Sequence, residues 1–512
     1  MAKRRTTKPS AKAGKVPRRR SWQAAKSNRL TSDWRASQNP IDQDIYADLR
    51  ILRARARDLA NNNPHGRRFV RLIQMNVAGP RGFQVQSRVE TDTGRPLESA
   101  NVMIEEAWQR WCKAGVCEIT GRHTFRTLQH ILLGHAARDG EFLVREIVNP
   151  QLEFGYTLQI LPPDVLDDQY NDKLPSGNVV VMGVELDKFR RPVAYHLKRQ
   201  EAGTYEPISR ADRERVPANE IIHGFVQDSA FQTRGVPWMA AAILKVRMLG
   251  EYEIAALTKA RTGATNLGFL APSIDYAQGT VQAGEDDGAG NTVVNIEPMS
   301  VTQLDPGTTF TPWQSEYPTQ QYDPFVKANL RSIAAALDVS YTSLSGDLSD
   351  TSYSSARVGL LDERESYRDR QEWFVDVFLR RVFRNWLEMA WMSGNISFPV
   401  SKMEKFSNAK FIGRTWAWVD PQKDITAAIM EITNNLSTKS EYLSEQGRDF
   451  TEVIKQRQTE IELENAAGLN PAPDEPDEPD EPDEPDEPES ETPEEAATGR
   501  TLAIINGNGH EK

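Results

Sequence analysis

Ile45, Leu49, Leu52, Ala56 and Leu59 recur at helical spacing through "DIYADLRILRARARDLA", and "NNNPHG" stops the pattern before a second helical run, "RRFVRLIQMNVAG". The two runs predict a helical hairpin with arginine-rich outer faces. A second amphipathic pair follows, "VMIEEAWQRWC" and "FRTLQHILLGHAARDG". The apolar period then shortens to two, so "EFLVREIV", "YTLQILPPDVL", "VVVMGVEL" and "PVAYHLKR" read as strands and the first half of the chain as an α+β unit. Residues 238–262 contain no proline. They predict a helix about 37 Å long at about 1.5 Å per residue, more than globular packing needs.

The second half opens on a Gly- and Asp-rich stretch with short strands, "AGEDDGAGNTVVNIEP". In "DPFVKANLRSIAAALDV", Val326, Leu330, Ile333 and Leu337 share one helical face. A polar loop comes next, "SGDLSDTSYSSARVG" at 345–359. Beyond it, Phe374, Phe378, Val382, Trp386 and Ala390 at four-residue steps predict a long helix over 359–392, with Arg380, Arg381 and Arg384 between them. "ISFPV" and "TWAWVD" read as strands, and helical segments fill 422–465.

Charge changes this picture at the two ends. Residues 1–35 hold 12 Lys/Arg against the single acid Asp33, and residues 471–499 hold 14 Asp/Glu and no base. The first is too poor in apolar groups to offset the entropy of ordering and reads as a disordered arm. The second contains "PDEPDEPDEPDEPDEPE", where Pro removes backbone donors and like charges repel; an extended, polyproline-II-like tether is expected. The rest of the chain carries 50 Lys/Arg against 58 Asp/Glu and is mildly acidic. At 512 residues two or three packed units are expected. Cys112 and Cys117 are the only cysteines, which fits a reducing, cytosolic compartment. With no apolar run of membrane length and no apolar segment behind the basic N-terminus, neither insertion nor export is expected.

Candidate chemistry is sparse. No G-x-x-x-x-G-K-[ST] loop is present, so ATP-driven work belongs to a partner. Cys112, Cys117, His123, His130 and His135 come nearest to a metal site, but the five-residue cysteine spacing departs from a zinc hook; a packed, reduced pair is the simpler reading. A serine nucleophile in the polar loop would need a base such as His196 or His223, and no G-x-S-x-G elbow surrounds any serine. Gly346 and the hydroxyls could form a phosphate nest, yet Asp347 and Asp350 would repel phosphate. "DERESYRDR" at 362–370 could gather carboxylates for a metal-dependent nuclease, but alternation with arginine reads as a solvated, ion-paired face. No cofactor or catalytic residue is expected.

Six separated motifs carry a resemblance: "ARARDLANNNPHGRRFVRLIQMNVAGPRGFQVQ", "ARDGEFLVRE", "VPANEIIHGF", "TRGVPWMAAAILKVRMLGEYEIAALTKA", "SLSGDLSDTSYSSARVGLLDE" and "NNLSTKSEYLSEQGRDFTEVIKQRQTE". In this order, over roughly residues 40–465, the chain resembles the lambda-type portal proteins of tailed bacteriophages. The resemblance implies an α+β portal fold with wing, long-helix stem, clip, tunnel loop and helical crown, assembled as a ring, usually of twelve subunits, at one capsid vertex. DNA would be packaged and ejected through the ring's channel. On this chain it implies a wing over 36–237, a first stem helix over 238–267, a clip over 268–318 and a second stem helix over 319–340. A tunnel loop over 341–358, a long helix returning to the wing over 359–421 and a crown over 422–470 would complete it. The arm at 1–35 and the acidic tail at 471–512 lie outside the resemblance.

The implied DNA-facing residues are Ser345, Asp347, Ser349, Ser352, Tyr353, Ser354, Ser355 and Arg357, and the implied clip docking surface is Glu285, Asp286, Asp287 and Asn291. The implied partners are further copies of the chain, the large terminase subunit, a head-completion or connector protein, the major capsid and scaffold proteins, and double-stranded DNA bound without sequence preference. The implied place is the virion vertex after assembly in the host cytoplasm, with no membrane and no enzymatic activity. The residues point the same way independently. A channel that lets DNA slide must not grip it, and each Lys/Arg contact to phosphate strengthens binding; a Ser/Thr/Asp-rich loop with a lone Arg357 grips weakly. A metal-dependent nucleic-acid enzyme and a structural adaptor or scaffold without a channel remain the alternatives.

Overall fold

The computed structural model describes residues 38–199, 213–264, 268–272, 285–286, 292–293, 308–312, 320–349, 352–416, 421–446, 448 and 450–467. The basic arm, the acidic tail and most of 268–318 therefore lie outside the described residues. Helices α1 (Ile41–Asn62), α2 (Pro64–Ile73), α3 (Glu98–Trp111) and α4 (Phe125–Asp139) come first, with strand β1 (Gln84–Ser87) between α2 and α3. Strands β2 (Glu141–Val148), β3 (Tyr156–Leu161), β4 (Asp172–Lys173), β5 (Val179–Val181), β6 (Val184–Leu186), β7 (Pro192–Lys198), β8 (Arg213–Pro217) and β9 (Ile221–Phe225) follow, leading to helix α5 (Ile243–Ala264). Short antiparallel pairs come next, β10 (Gly268–Pro272) with β13 (Thr308–Pro312) and β11 (Glu285–Asp286) with β12 (Thr292–Val293). Helices α6 (Tyr322–Leu337), α7 (Tyr341–Ser345), α8 (Tyr353–Phe374), α9 (Arg380–Met392) and α10 (Met403–Phe406) precede strand β14 (Ala409–Ile412), and α11 (Pro421–Thr433) and α12 (Lys439–Glu445) close this compact unit. A separate unit from Arg448 onward contains α13 (Phe450–Ala466).

The first helical hairpin forms as its sequence dictates. Asn63 caps α2 by accepting from the amides of His65 and Gly66 at 2.9 and 3.1 Å, and Pro64 sits at the first helical position, where its missing N–H costs nothing. The largest apolar cluster is built where α3, α4 and α9 meet: the Trp108 ring lies 4.8 Å from Trp386 and 5.2 Å from Phe125, both edge-on. All five apolar residues stepped by four along the second-half helix are buried in it. Two sheets flank the helices, the antiparallel β3-β2-β9 and the meander β4-β5-β6-β7-β8. Leu143 and Ile221 of the first share a cluster with Leu186, Tyr195, Leu197 and Val216 of the second.

Several elements depart from the sequence pattern. "VVVMGVEL" is a hairpin, not one strand: Val181 pairs with Val184 across Met182 and Gly183, whose φ of 46° and 84° suit the two-residue turn that matches strand twist. "ISFPV" is irregular, and the strand it was expected to supply is Ala409–Ile412, paired antiparallel with Gln84–Ser87. Thr415 and Trp416 of "TWAWVD" are likewise irregular, and 417–420 lie outside the described residues. The helix expected from 238 begins at Ile243, after a turn that bonds Ala242 N to Met239 O. The helix expected over 359–392 begins at Tyr353 and contains a π-helical turn at Val375–Leu379, which keeps Phe374 and Phe378 both buried.

Candidate functional site

The polar segment at 341–358 divides in two. Its first part is folded on itself by its own hydroxyls. Ser340 caps α7 by accepting from Ser343 N at 3.1 Å, and Gly346 closes that helix at a φ of 74°. Ser345 Oγ donates to Tyr341 O at 2.7 Å and accepts from Asp347 N at 3.1 Å. Asp347 Oδ1 accepts from Ser349 N and Oγ at 2.9 and 2.7 Å, and Oδ2 from Tyr341 Oη at 2.7 Å. Lys327 Nζ on α6 lies 3.6 Å from the same carboxylate. The Ser349 hydroxyl and amide, the Tyr341 hydroxyl and the nearby ammonium hold the Asp347 carboxyl well below the usual carboxylate range. The hydroxyl protons of Ser345 and Ser349 are thus committed to the turn, which is loop-shaping chemistry and not that of a nucleophile.

The second part is helix. Tyr353, Ser354, Ser355 and Arg357 stand on the first turns of α8 and not in a loop, while Ser352 is exposed just before it. The segment is anchored from below by Glu363, which accepts from Ser340 and Ser343 hydroxyls at 2.8 and 2.7 Å and from Tyr367 Oη at 2.7 Å. Glu363 is buried, which corrects the expectation of a wholly solvated "DERESYRDR" face; Glu365 does pair with Arg368 there at the surface. Of the expected docking residues, Glu285 and Asp286 form β11, and Asp287 and Asn291 lie outside the described residues.

A buried ionic hub, which the sequence reading did not find, ties α1 to β2, β9 and the loop that leads to α5. Glu141, the first residue of β2, is fully buried. It accepts from Arg234 Nε at 3.0 Å and Nη2 at 2.5 Å, and from the amide of Gly235 at 2.9 Å, while His223 Nε2 lies 3.1 Å away. Arg53 Nη2 is an ion-pair partner at 2.7 Å, and its Nε donates to Asp139 O at 2.9 Å. Arg53 was expected on a solvated face. Its burial follows from Glu141, which needs cationic compensation in this low-dielectric site. Burial alone would raise the Glu141 carboxyl, but the Arg234 and Arg53 guanidiniums and the hydrogen bond from His223 outweigh it and hold it well below the usual range. Gly140 and Gly235 permit the approach: a Cβ on Gly140, where φ is 88°, would fall 2.3 Å from Val236 C, and one on Gly235 would fall 2.1 Å from Gly140 O. Next to the hub, Arg57 bridges Asp139 at 2.6 Å and Asp164 at 2.5 Å, and Arg50 pairs with Asp168.

The cysteine and histidine candidates are structural. Cys117 Sγ lies 3.5 Å from His123 O and 3.7 Å from Cys112 O; burial pushes Cys112 well above the usual thiol range and Cys117 up to about 12. Among the described residues no group of His, Cys, Asp and Glu could hold a metal ion. His130 donates to Gly79 O at 2.8 Å. Burial lowers His130, His196 and His223, and takes His135 down to about 4. These four are neutral when folded and take up protons more readily when unfolded. The stability they contribute is present above the ordinary histidine range and is lost as pH falls from about 6.5 towards about 4. Glu185, held at about 2, and the depressed Asp139, Asp168 and Glu141 act in the same direction at lower pH. A thermal melt should therefore be flat between about pH 7 and pH 8 and shift steadily downward below about pH 6.5. A melting temperature constant from pH 7 to pH 4.5 would contradict the buried-histidine geometry.

The family model and the curated relatives agree on one group. A family model described as "Phage portal protein, lambda family" matches residues 27–371. The chain is similar to "Probable portal protein" of Halomonas phage phiHAP-1, at 33% identity over 469 residues and 90% of each chain. It is also similar to "Portal protein B" of Escherichia phage lambda, at 22% identity over 86% of this chain and 88% of that one. Among solved structures, "Neck of empty GTA particle computed with C6 symmetry" is similar at 15% identity and a TM-score of 0.44, covering 82% of this chain and 97% of that one.

Proposed function

Because this chain belongs to the lambda family of phage portal proteins, we propose that it works as a ring at one capsid vertex, its channel carrying DNA in during packaging and out during ejection. The family is a structural class, not an enzymatic one. Helix α5 carries the single observation behind the ring. Val246, Leu249 and Ala256 are buried on one side of it, while Leu244, Met248 and Ile254, 69%, 60% and 68% exposed, lie on the other. Apolar residues left open along a long helix are covered economically by the same helix of the next copy.

On this reading α5 and α6 form the stem, residues 268–318 the clip, α11 and α12 with the following helix the crown, and 36–237 the wing. The clip, around Glu285, Asp286, Asp287 and Asn291, docks the large terminase during packaging and a connector protein afterwards; the major capsid and scaffold proteins are further partners. No described helix is long and apolar enough to cross a membrane. Negative-stain images of the purified protein should show rings with an opening wide enough for duplex DNA. A closed or open-ended assembly without such an opening would favour a structural adaptor.

The segment 341–358 is the tunnel loop of this reading, with its hydroxyl-and-carboxylate turn presented to the passing duplex. Lysine at Ser349 and Ser352, both exposed, adds phosphate contacts whose strength falls steeply with salt. Rings and empty shells should form normally, while packaging slows, by about tenfold or more at low salt and less at high salt. Single alanine changes at the same two positions should package near normally. A lone Ser→Ala change that abolished packaging would point to chemistry at that serine and away from a sliding surface.

A further inference from the structure

Glu363 is the buried acid of "DERESYRDR", and its two oxygens serve different neighbours. Oε1 accepts from Tyr367 Oη at 2.7 Å, one turn along α8, which fixes the carboxylate on its own helix. Oε2 accepts from Ser340 Oγ at 2.8 Å and Ser343 Oγ at 2.7 Å, and so reaches α7. Hydroxyl bonds to a carboxylate are among the strong ones.

Helix α7 is five residues long, too short to stand on its own backbone bonds. Leu344 is buried beneath it, and the Ser340 hydroxyl accepts from Ser343 N at 3.1 Å while donating to Glu363. The cap is therefore aimed by the acid. What α7 carries is the exposed turn that follows: Tyr341 Oη donates to Asp347 Oδ2, and Ser345 Oγ accepts from Asp347 N. Asp347 in turn receives the Ser349 amide and hydroxyl. Two further helices touch the segment, since Arg68 Nε on α2 donates to Ser343 O at 2.9 Å and Lys327 Nζ on α6 donates to Ser349 Oγ at 3.3 Å. Those two contacts are open to solvent, which competes for them, whereas the Glu363 carboxyl is withdrawn from it.

We propose that Glu363 is the positioning residue of the polar segment: it fixes α7 to α8 and, through α7, sets where Asp347 and Ser349 stand. The segment then rides on α8 as one body and does not bend as a free loop. Resting on the tunnel reading of 341–358, this makes Glu363, itself away from the DNA, the residue that decides how far the turn stands into the channel.

The test uses the full-length protein, with amide exchange over 341–349 read by mass spectrometry and packaging read by complementation. Glu363→Ala, and separately Ser340→Ala with Ser343→Ala, should each speed that exchange about tenfold or more. Tyr367→Phe removes a bond from the same carboxylate but none from the segment, and should leave exchange unchanged. Combining Glu363→Ala with both serine changes should give exchange no faster than Glu363→Ala alone, yet recover part of its lost melting temperature, because the serine hydroxyls no longer want an acceptor. A merely structural role would move exchange and melting temperature together. Rings should form in every variant, with packaging slowed where the segment is released and normal in Tyr367→Phe. Where Glu363→Ala does not fold, the serine pair against Tyr367→Phe carries the same comparison. Unchanged exchange in Glu363→Ala, or equal exchange in Tyr367→Phe and the serine pair, would overturn the proposal. A released segment with normal packaging would uphold the anchor and overturn the tunnel reading instead.

Discussion

Glu141→Ala is expected to cost roughly 3–5 kcal/mol of folding stability, enough to unfold much of the protein at growth temperature. The arithmetic rests on what the substitution leaves behind. Arg234 is wholly buried and Arg53 nearly so, and with the carboxylate gone two guanidiniums and the Gly235 amide lose their shared acceptor. Glu141→Gln keeps an acceptor for Gly235 and should fall between the alanine variant and the parent. Arg50→Ala is the contrast, because Arg50 is 51% exposed where it pairs with Asp168 and should cost about 1 kcal/mol or less. Chemical denaturation of the four proteins should give that order, with soluble yield following it. Equal midpoints for Glu141→Ala and Arg50→Ala would mean the hub is not the fastening it is argued to be.

The hub also shows where sequence reading runs out. The helices of the first half, the strands of β2, β3 and β7 and the buried stripe from Phe374 to Ala390 were legible, because each is written in a local period that burial enforces. Arg53, Glu141, His223 and Arg234 come from four segments up to 181 residues apart, and no local period joins them. One signal was present. The buried positions of α1 run Ile45, Leu49, Arg53, Ala56 and Leu59, so Arg53 occupies the apolar stripe itself, and an arginine there calls for a buried acid. Three of the motifs that carry the family resemblance, "ARDGEFLVRE", "VPANEIIHGF" and "TRGVPW", each give one member to the hub. The polar segment at 345–359 was legible as polar but not as half helix. Its Ser and Asp side chains satisfy nearby backbone groups in either state, and the choice falls to Glu363 further along α8 and Lys327 on α6.

Leu244→Glu with Met248→Glu should abolish the ring while leaving the folded subunit intact. Both side chains are more than half exposed on α5, so in the isolated subunit the change is a surface one and should move the melting temperature little. The helix keeps its inner packing through Val246 and Leu249 and through Tyr252, whose ring lies 5.0 Å from Phe325 on α6. Between copies the consequence is different. Burying a Leu or Met side chain contributes about 1.5–3 kcal/mol, so losing two weakens each interface by roughly 3–6 kcal/mol before the cost of placing a carboxylate there. That is more than about a hundredfold per interface, and a closed ring repeats the loss at every one. Mass photometry should show rings for the parent and single subunits for the double variant, at concentrations where circular dichroism and melting coincide. Glutamate at Asn61 and Asn62, both exposed on α1, serves as the charge-matched control and should leave the ring in place. Rings persisting in the α5 variant would move the subunit interface off this helix and remove the observation on which the ring reading stands.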